Sequence, residues 1–224
     1  MTDHGQLYIV ATPIGNPGDI TLRAVETLRK ADVVICEELR EGTSLLKRLG
    51  FTGREVIDLN EHNEHERVPE LVQRILVSGV SMALVSDCGT PVFSDPGAYL
   101  IQQAVDMGVP VVPIPGASSL MAALSILDFK LEKFIYAGFL PRVPEERRRE
   151  LARLRALRMP VILMDAPYRL ATLLQDVAGA FGKGHMVTVA ADLTLPREKI
   201  YRGPLSEVLQ QVGARKAEFI LIVH

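Results

Sequence analysis

Five short apolar runs in the first half of the chain, at 7–11, 33–36, 56–59, 82–85 and 109–114, do most to limit what it can fold into. They do not alternate polar with apolar residues, so each reads as a strand buried on both faces. The stretches between them are long enough for helical crossovers, which parallel strands require and hairpins do not. Two of these stretches are amphipathic at helical spacing. Residues 21–30 put Leu22, Val25 and Leu28 on one face, and residues 70–77 bury Leu71, Ile75 and Leu76 together. The first half therefore predicts a doubly wound parallel sheet.

The chain changes character at Pro113-Ile114-Pro115-Gly116, a proline-punctuated turn followed by small residues. The second half has its own apolar runs at 134–137, 161–164, 186–190 and 219–223, with an arginine-rich helix over 144–158. The expected fold class is α/β, with two α/β domains: 1–115 around the parallel sheet, and 116–224.

Composition narrows the function. The chain has 224 residues, 48% of them apolar, and a formal charge of −2. That excludes a general polyanion binder, and any nucleic-acid contact needs a local patch. Two cysteines, Cys36 and Cys88, form no disulfide framework. The N-terminus shows no signal peptide, and no apolar run has membrane-spanning length. A soluble cytoplasmic α/β protein is expected.

Chemistry concentrates after the strands. Ser86-Asp87-Cys88-Gly89-Thr90-Pro91 and Ser94-Asp95-Pro96-Gly97 are small-residue turns, each with an acid, directly after the 82–85 run. Open α/β sheets bind ligands at such carboxyl ends. Ala11-Thr12-Pro13-Ile14-Gly15-Asn16-Pro17-Gly18-Asp19 follows the first strand in the same way. It lacks the spacing of a dinucleotide fingerprint or a P-loop, and taken alone it reads as a strand-to-helix turn capped by Asp19. Glu37-Glu38-Leu39-Arg40 after the second strand, taken alone, reads as a solvated helix start with favourably placed acids.

Two other clusters are weaker. His62-Asn63-Glu64-His65 has ligand-like spacing but no third partner, so a polar loop is expected and no metal. Arg142, Arg147, Arg148, Arg149, Arg153, Arg155 and Arg158 interleave with Glu145, Glu146 and Glu150, which predicts a solvated face of helix-spaced ion pairs; the alternative is a phosphate-binding patch.

Taken together, the motifs resemble one family. The segments are 7–16 and 18–24, His62-Asn63-Glu64, the 83–91 and 94–97 turns, Pro113-Ile114-Pro115-Gly116, Gly138-Phe139-Leu140-Pro141 and the 219–223 run. In order and spacing they are similar to the ribosomal RNA small-subunit methyltransferase I family, within the tetrapyrrole methylase (class III methyltransferase) superfamily. The resemblance implies S-adenosylmethionine bound in a cleft between two α/β domains, a homodimer, and transfer to a cytidine ribose 2′-oxygen of 16S rRNA in the small ribosomal subunit. It assigns cofactor contacts to Pro13, Asp87, Cys88, Gly89, Val92, Ser118, Ser119, Met164, Asp165 and the backbone at Leu193. Polar candidates at the acceptor are Glu37, Glu38, Arg40, Asp95 and Arg169.

Some segments depart from the family pattern. Leu39 stands for a threonine, Tyr168 for a histidine, and Ala191-Asp192-Leu193-Thr194-Leu195 lacks two basic residues. Longer members also continue into a helical C-terminal domain. Two alternatives therefore stay open: another acceptor (tetrapyrrole, protein or other RNA), and a cofactor-binding paralogue without catalysis.

Overall fold

In the computed structural model, residues 5–92 and 96–224 are described. The chain forms two compact units, Met1–Ser118 and Ser119–His224.

The first unit runs β1 (Leu7–Val10), α1 (Leu22–Lys30), β2 (Val33–Cys36), α2 (Leu39–Arg48), β3 (Glu55–Asp58), α3 (Glu64–Ser78), β4 (Met82–Val85), α4 (Ala98–Asp106) and β5 (Val111–Ile114). The strands lie in the order β3-β2-β4-β1-β5, and every pairing is parallel. The connections from β1 and β2 run one way across the sheet, and those from β3 and β4 run the other. Right-handed crossovers then place α1 and α2 on one face and α3 and α4 on the opposite one. The two cores agree. Ala24, Leu28, Leu45 and Leu46 pack on Val10, Val34 and Val85, while Val68, Leu71, Leu100 and Ala104 pack on Leu7, Ile35 and Leu84.

The helix faces are rotated from the sequence reading. Leu22 is 85% exposed, and α1 buries Ala24, Thr27 and Leu28 instead. Ala24 is small enough to let the helix lie close to the sheet. In α3, Leu76 is exposed and Val72 takes its place. Among the described residues the caps are not Asp19: Asn16 accepts from the Gly18 amide, and Thr21 accepts from Ala24 at the start of α1.

The second unit runs α5 (Ser119–Ser125), β6 (Ile135–Phe139), α6 (Pro144–Ala156), β7 (Val161–Met164), α7 (Leu170–Phe181), β8 (Met186–Ala191), β9 (Lys199–Pro204), α8 (Leu205–Val212) and β10 (Phe219–Val223). Its sheet order is β6-β7-β10-β8-β9. Only β6 and β7 pair in parallel; β10 is antiparallel to both β7 and β8, and β9 to β8. Helices α6, α7 and α8 cover one face, and α5 packs on Ile162, Ala190, Ile220 and Ile222 on the other. Sequence patterning misses β9 because it is an edge strand with Lys199 and Arg202 exposed and only Tyr201 and Gly203 buried.

Arg147 is not part of a solvated face. It is 7% exposed, with Nε 2.7 Å from Asp176 and Nη1 donating to the carbonyls of Pro141 and Arg142.

Candidate active site

Adjacent strands β2 and β4 send their connections in opposite directions, so the sheet of the first unit has its switch point between them. Ligands of open α/β sheets bind outside the carboxyl ends at such a point. Here the Glu38 amide donates to Asp87 Oδ1 at 3.5 Å. A cavity of about 290 Å³ opens beside it, lined by the loops after β1 and β4 and by one face of α2. Pro13, Ile14, Asp87 and Cys88 line it, together with Glu41, Gly42 and Arg48.

These loops are laced together. Buried Thr12 donates its hydroxyl to Ser86 O at 3.0 Å and its amide to Gly89 O at 2.8 Å. The Ser86 hydroxyl accepts from the Cys88 amide at 3.1 Å, and Cys88 Sγ lies 3.4 Å from Ile14 O. Gly89 has φ 86°, and a Cβ there would stand 3.0 Å from Ile14 Cγ2. Any side chain at 89 is thus strained and crowded. The Thr90 hydroxyl ties the same turn to Ala117 O at 3.0 Å, beside Ser118.

The sign of the field is legible from one thiol. Cys36, at the end of β2, is pushed up to about 11 by burial first, then by the negative charge of Asp87, with smaller contributions from Asp58 and Glu38. Carboxylates converging on this sheet edge favour a cationic ligand.

Glu64 adds a tie that sequence reading misses. His62-Asn63-Glu64-His65 is a turn running into α3 rather than a loop, and Glu64 Oε1 accepts from the amides of Gly97 and Tyr99. It serves the start of α4 in place of a capping side chain, because Gly97 has none. Asp95 lies outside the described residues. Glu38 and Arg40 are exposed at the start of α2. Val92 holds φ 73°, a strained value for a β-branched residue.

In the second unit, Ser119 opens α5 and Met164 ends β7, where Tyr136 Oη donates to its sulfur at 3.1 Å. Asp165 receives Arg169 Nε at 2.8 Å, and both side chains are largely buried. The two predicted site residues therefore hold each other. Leu193 is flanked by two left-handed residues, Asp192 (φ 51°) and Thr194 (φ 65°). Sequence reading treats Asp192 only as part of a drifted segment. It is in fact 2% exposed, with Oδ2 2.7 Å from Arg215 and 3.2 Å from Arg197. Among the described residues, three of the four non-glycine positive-φ positions fall at or beside predicted cofactor contacts. Strain held in this way concentrates at functional sites.

Comparison with known proteins speaks to the family and the fold. The profile of the Tetrapyrrole (Corrin/Porphyrin) Methylases matches residues 6–209. "Ribosomal RNA small subunit methyltransferase I" of Xylella fastidiosa is 40% identical over 100% of this chain and 83% of its own length. The proteins of that name from Escherichia coli O157:H7 and Mesorhizobium japonicum are 38% and 41% identical, over 98% and 97% of this chain and 78% and 74% of their lengths. Among solved structures, cobalt precorrin-4 methyltransferase superposes with a TM-score of 0.68 at 23% identity, covering 98% of this chain and 95% of its own. Diphthine synthase gives 0.72 at 18%, covering 98% and 89%. At these identities the structures speak for the fold alone. With a family match across most of its length and relatives near 40% identity, the chain belongs to the tetrapyrrole methylases, a family of S-adenosylmethionine-dependent methyltransferases.

Proposed function

We propose that this enzyme methylates the ribose 2′-oxygen of a cytidine in 16S rRNA of the small ribosomal subunit. The observation that carries this reading is identity of 36–41% to small-subunit rRNA methyltransferases along nearly the whole chain, together with a carboxylate-rimmed cavity at the switch point.

The residues present fit the family's cofactor. Its sulfonium and ammonium groups are cationic, and the field that raises the Cys36 thiol is negative. The cavity wall at Pro13, Ile14 and Gly15 is apolar or bare backbone, which accepts a close flat or hydrocarbon surface. When bound, S-adenosylmethionine supplies a methyl group on a positively charged sulfur.

Under this reading Asp87 accepts from ribose hydroxyls or the ammonium, with Cys88 and Gly89 offering backbone. Val92 and Ser118 complete the first unit's contacts. Ser119, Met164, Asp165 and the Leu193 backbone contribute from the second, with Met164 placed for the adenine. On the acceptor side, Glu38 takes up the proton that the 2′-hydroxyl must lose. Arg40 and Arg169 orient the ribose phosphates, and Asp95 belongs to the same set. The protein works as a cytoplasmic homodimer.

Calorimetry and modification mapping test this together. The wild type is expected to bind S-adenosylmethionine. Asp87→Ala should weaken binding at least about tenfold, since a charged hydrogen bond is worth about 1.5–3 kcal/mol. Small subunits from a strain lacking the gene should gain one cytidine ribose methyl from the wild type only. No binding heat with folded protein overturns the cofactor assignment; a methyl on a base, or on no RNA, overturns the acceptor.

A further inference from the structure

A second, larger cavity of about 1070 Å³ lies wholly within the second unit, at the C-terminal ends of α6 and α7. Ala152, Ala156 and Ala180 are among its lining residues. Gly179 is another, and a Cβ placed there would meet no atom within 4 Å.

The arginines of residues 142–158 divide around it. Arg147 is buried on Asp176, Arg149 faces Glu145 at 3.9 Å, and Arg153 holds Glu150 through two contacts of 2.9 and 2.6 Å. Arg148, Arg155 and Arg158 line the cavity instead. The side chains of Arg148 and Arg158 are exposed and meet no carboxylate or carbonyl among the described residues. Arg155 donates to Ala180 O at 2.7 Å, which offsets the negative end of α7. The one acidic side chain in the lining, Asp176, is neutralised by Arg147. The cavity thus carries three guanidinium groups and no unpaired acidic side chain among its lining residues, on a chain whose net charge is −2. It also holds an aromatic pair, Phe181 with His185, ring centroids 5.2 Å apart.

We propose that this groove binds single-stranded RNA, its arginines on consecutive phosphates and Phe181 against a base. A basic concavity with an aromatic platform is the arrangement that suits single strands. A flat polybasic face would suit a lipid surface better. The choice of RNA rests on the rRNA reading above; the basic groove itself does not.

The test is the double variant R148E/R158E, both positions being exposed, with a labelled oligouridylate in a salt titration. The dissociation constant should rise about tenfold or more. Two lost phosphate contacts should flatten the log–log salt slope by about 1.4, at about 0.7 per contact for single strands. Methylation of small subunits should lose kcat/KM through KM, with S-adenosylmethionine affinity unchanged. Gly179→Leu, which fills the groove without altering charge, should weaken oligouridylate binding too. Wild-type affinity and slope in the double variant overturn the groove, as does charge-dependent binding to anionic phosphatidylglycerol vesicles without RNA binding. Groove-dependent RNA binding by a protein that methylates no rRNA keeps the groove and overturns the acceptor reading. Unchanged methylation by the double variant does the reverse.

Discussion

Gly42 shows how one missing side chain supports a site. It lies in α2, and a Cβ there would stand 2.5 Å from Cys36 Sγ and 2.9 Å from Cys36 Cβ. Only glycine lets α2 press onto the end of β2, and α2 supplies Glu41, Gly42 and Leu45 to the cavity wall. Gly42→Ala should cost about 1–3 kcal/mol by overpacking and should also weaken cofactor binding. Adding Cys36→Gly removes both of the Cys36 atoms that the new Cβ would meet. Chemical denaturation of both single variants and the double should show favourable coupling of at least about 1 kcal/mol; additive effects would mean the contact does not limit α2. This residue pair was not legible in the sequence, which shows a glycine in a helix and a cysteine in a strand but not their approach. Thr12 was equally hidden, since its partners Ser86 and Gly89 lie 74 and 77 positions away. Asp87 and Gly89 could be singled out because turn residues after an apolar run have local meaning.

The turn between β8 and β9 carries an electrostatic tension that can be measured. Burial alone would raise the Asp192 carboxyl, but hydrogen bonds and charge from Arg215 and Arg197 outweigh it and hold the pKa below its ordinary value. Its support is present above about 3.8 and lost as pH falls through the lowered value. Glu218, whose carbonyl accepts the Asp192 amide at 2.7 Å, is in the opposite condition. Burial first, and then the charge of Asp192, push its carboxyl above the usual 4.5. The folded state therefore holds that proton more tightly than the unfolded chain. The cost of ionising Glu218 is absent below 4.5 and grows as pH rises through the raised value. Glu218→Gln should raise Tm at neutral pH and leave it unchanged well below pH 4.5, read by circular dichroism melts at both. A gain of equal size at both would assign the effect to packing. The sequence gives each strand end here to within a residue or two, because 186–190 and 219–223 are apolar runs. It does not reveal β9 or the ion cluster, because an edge strand with exposed charges looks like a loop, and a buried Asp is known only by its partners.

At the scale of the molecule, the α/β class and the parallel half were readable because buried parallel strands are apolar without alternation. The mixed second sheet was not, since an apolar run fixes burial but not strand direction or neighbour. That sheet has a central strand, β10, drawn from residues 219–223 and flanked by β7 and β8. The first unit has all five of its strands by residue 114. On the ribosome the two halves therefore mature on different schedules. The first can close while the second is still being made. The second keeps β7 and β8 apart, with their inner edges unpaired, until its last strand leaves the exit tunnel. Nascent chains stalled before residue 219 should resist protease over the first unit and be cut throughout the second, and protection of the second should appear in one step once β10 is free. Gradual protection would mean that β7 and β8 find a temporary partner. The basic groove, whose wall includes His224 just after β10, waits on the same step.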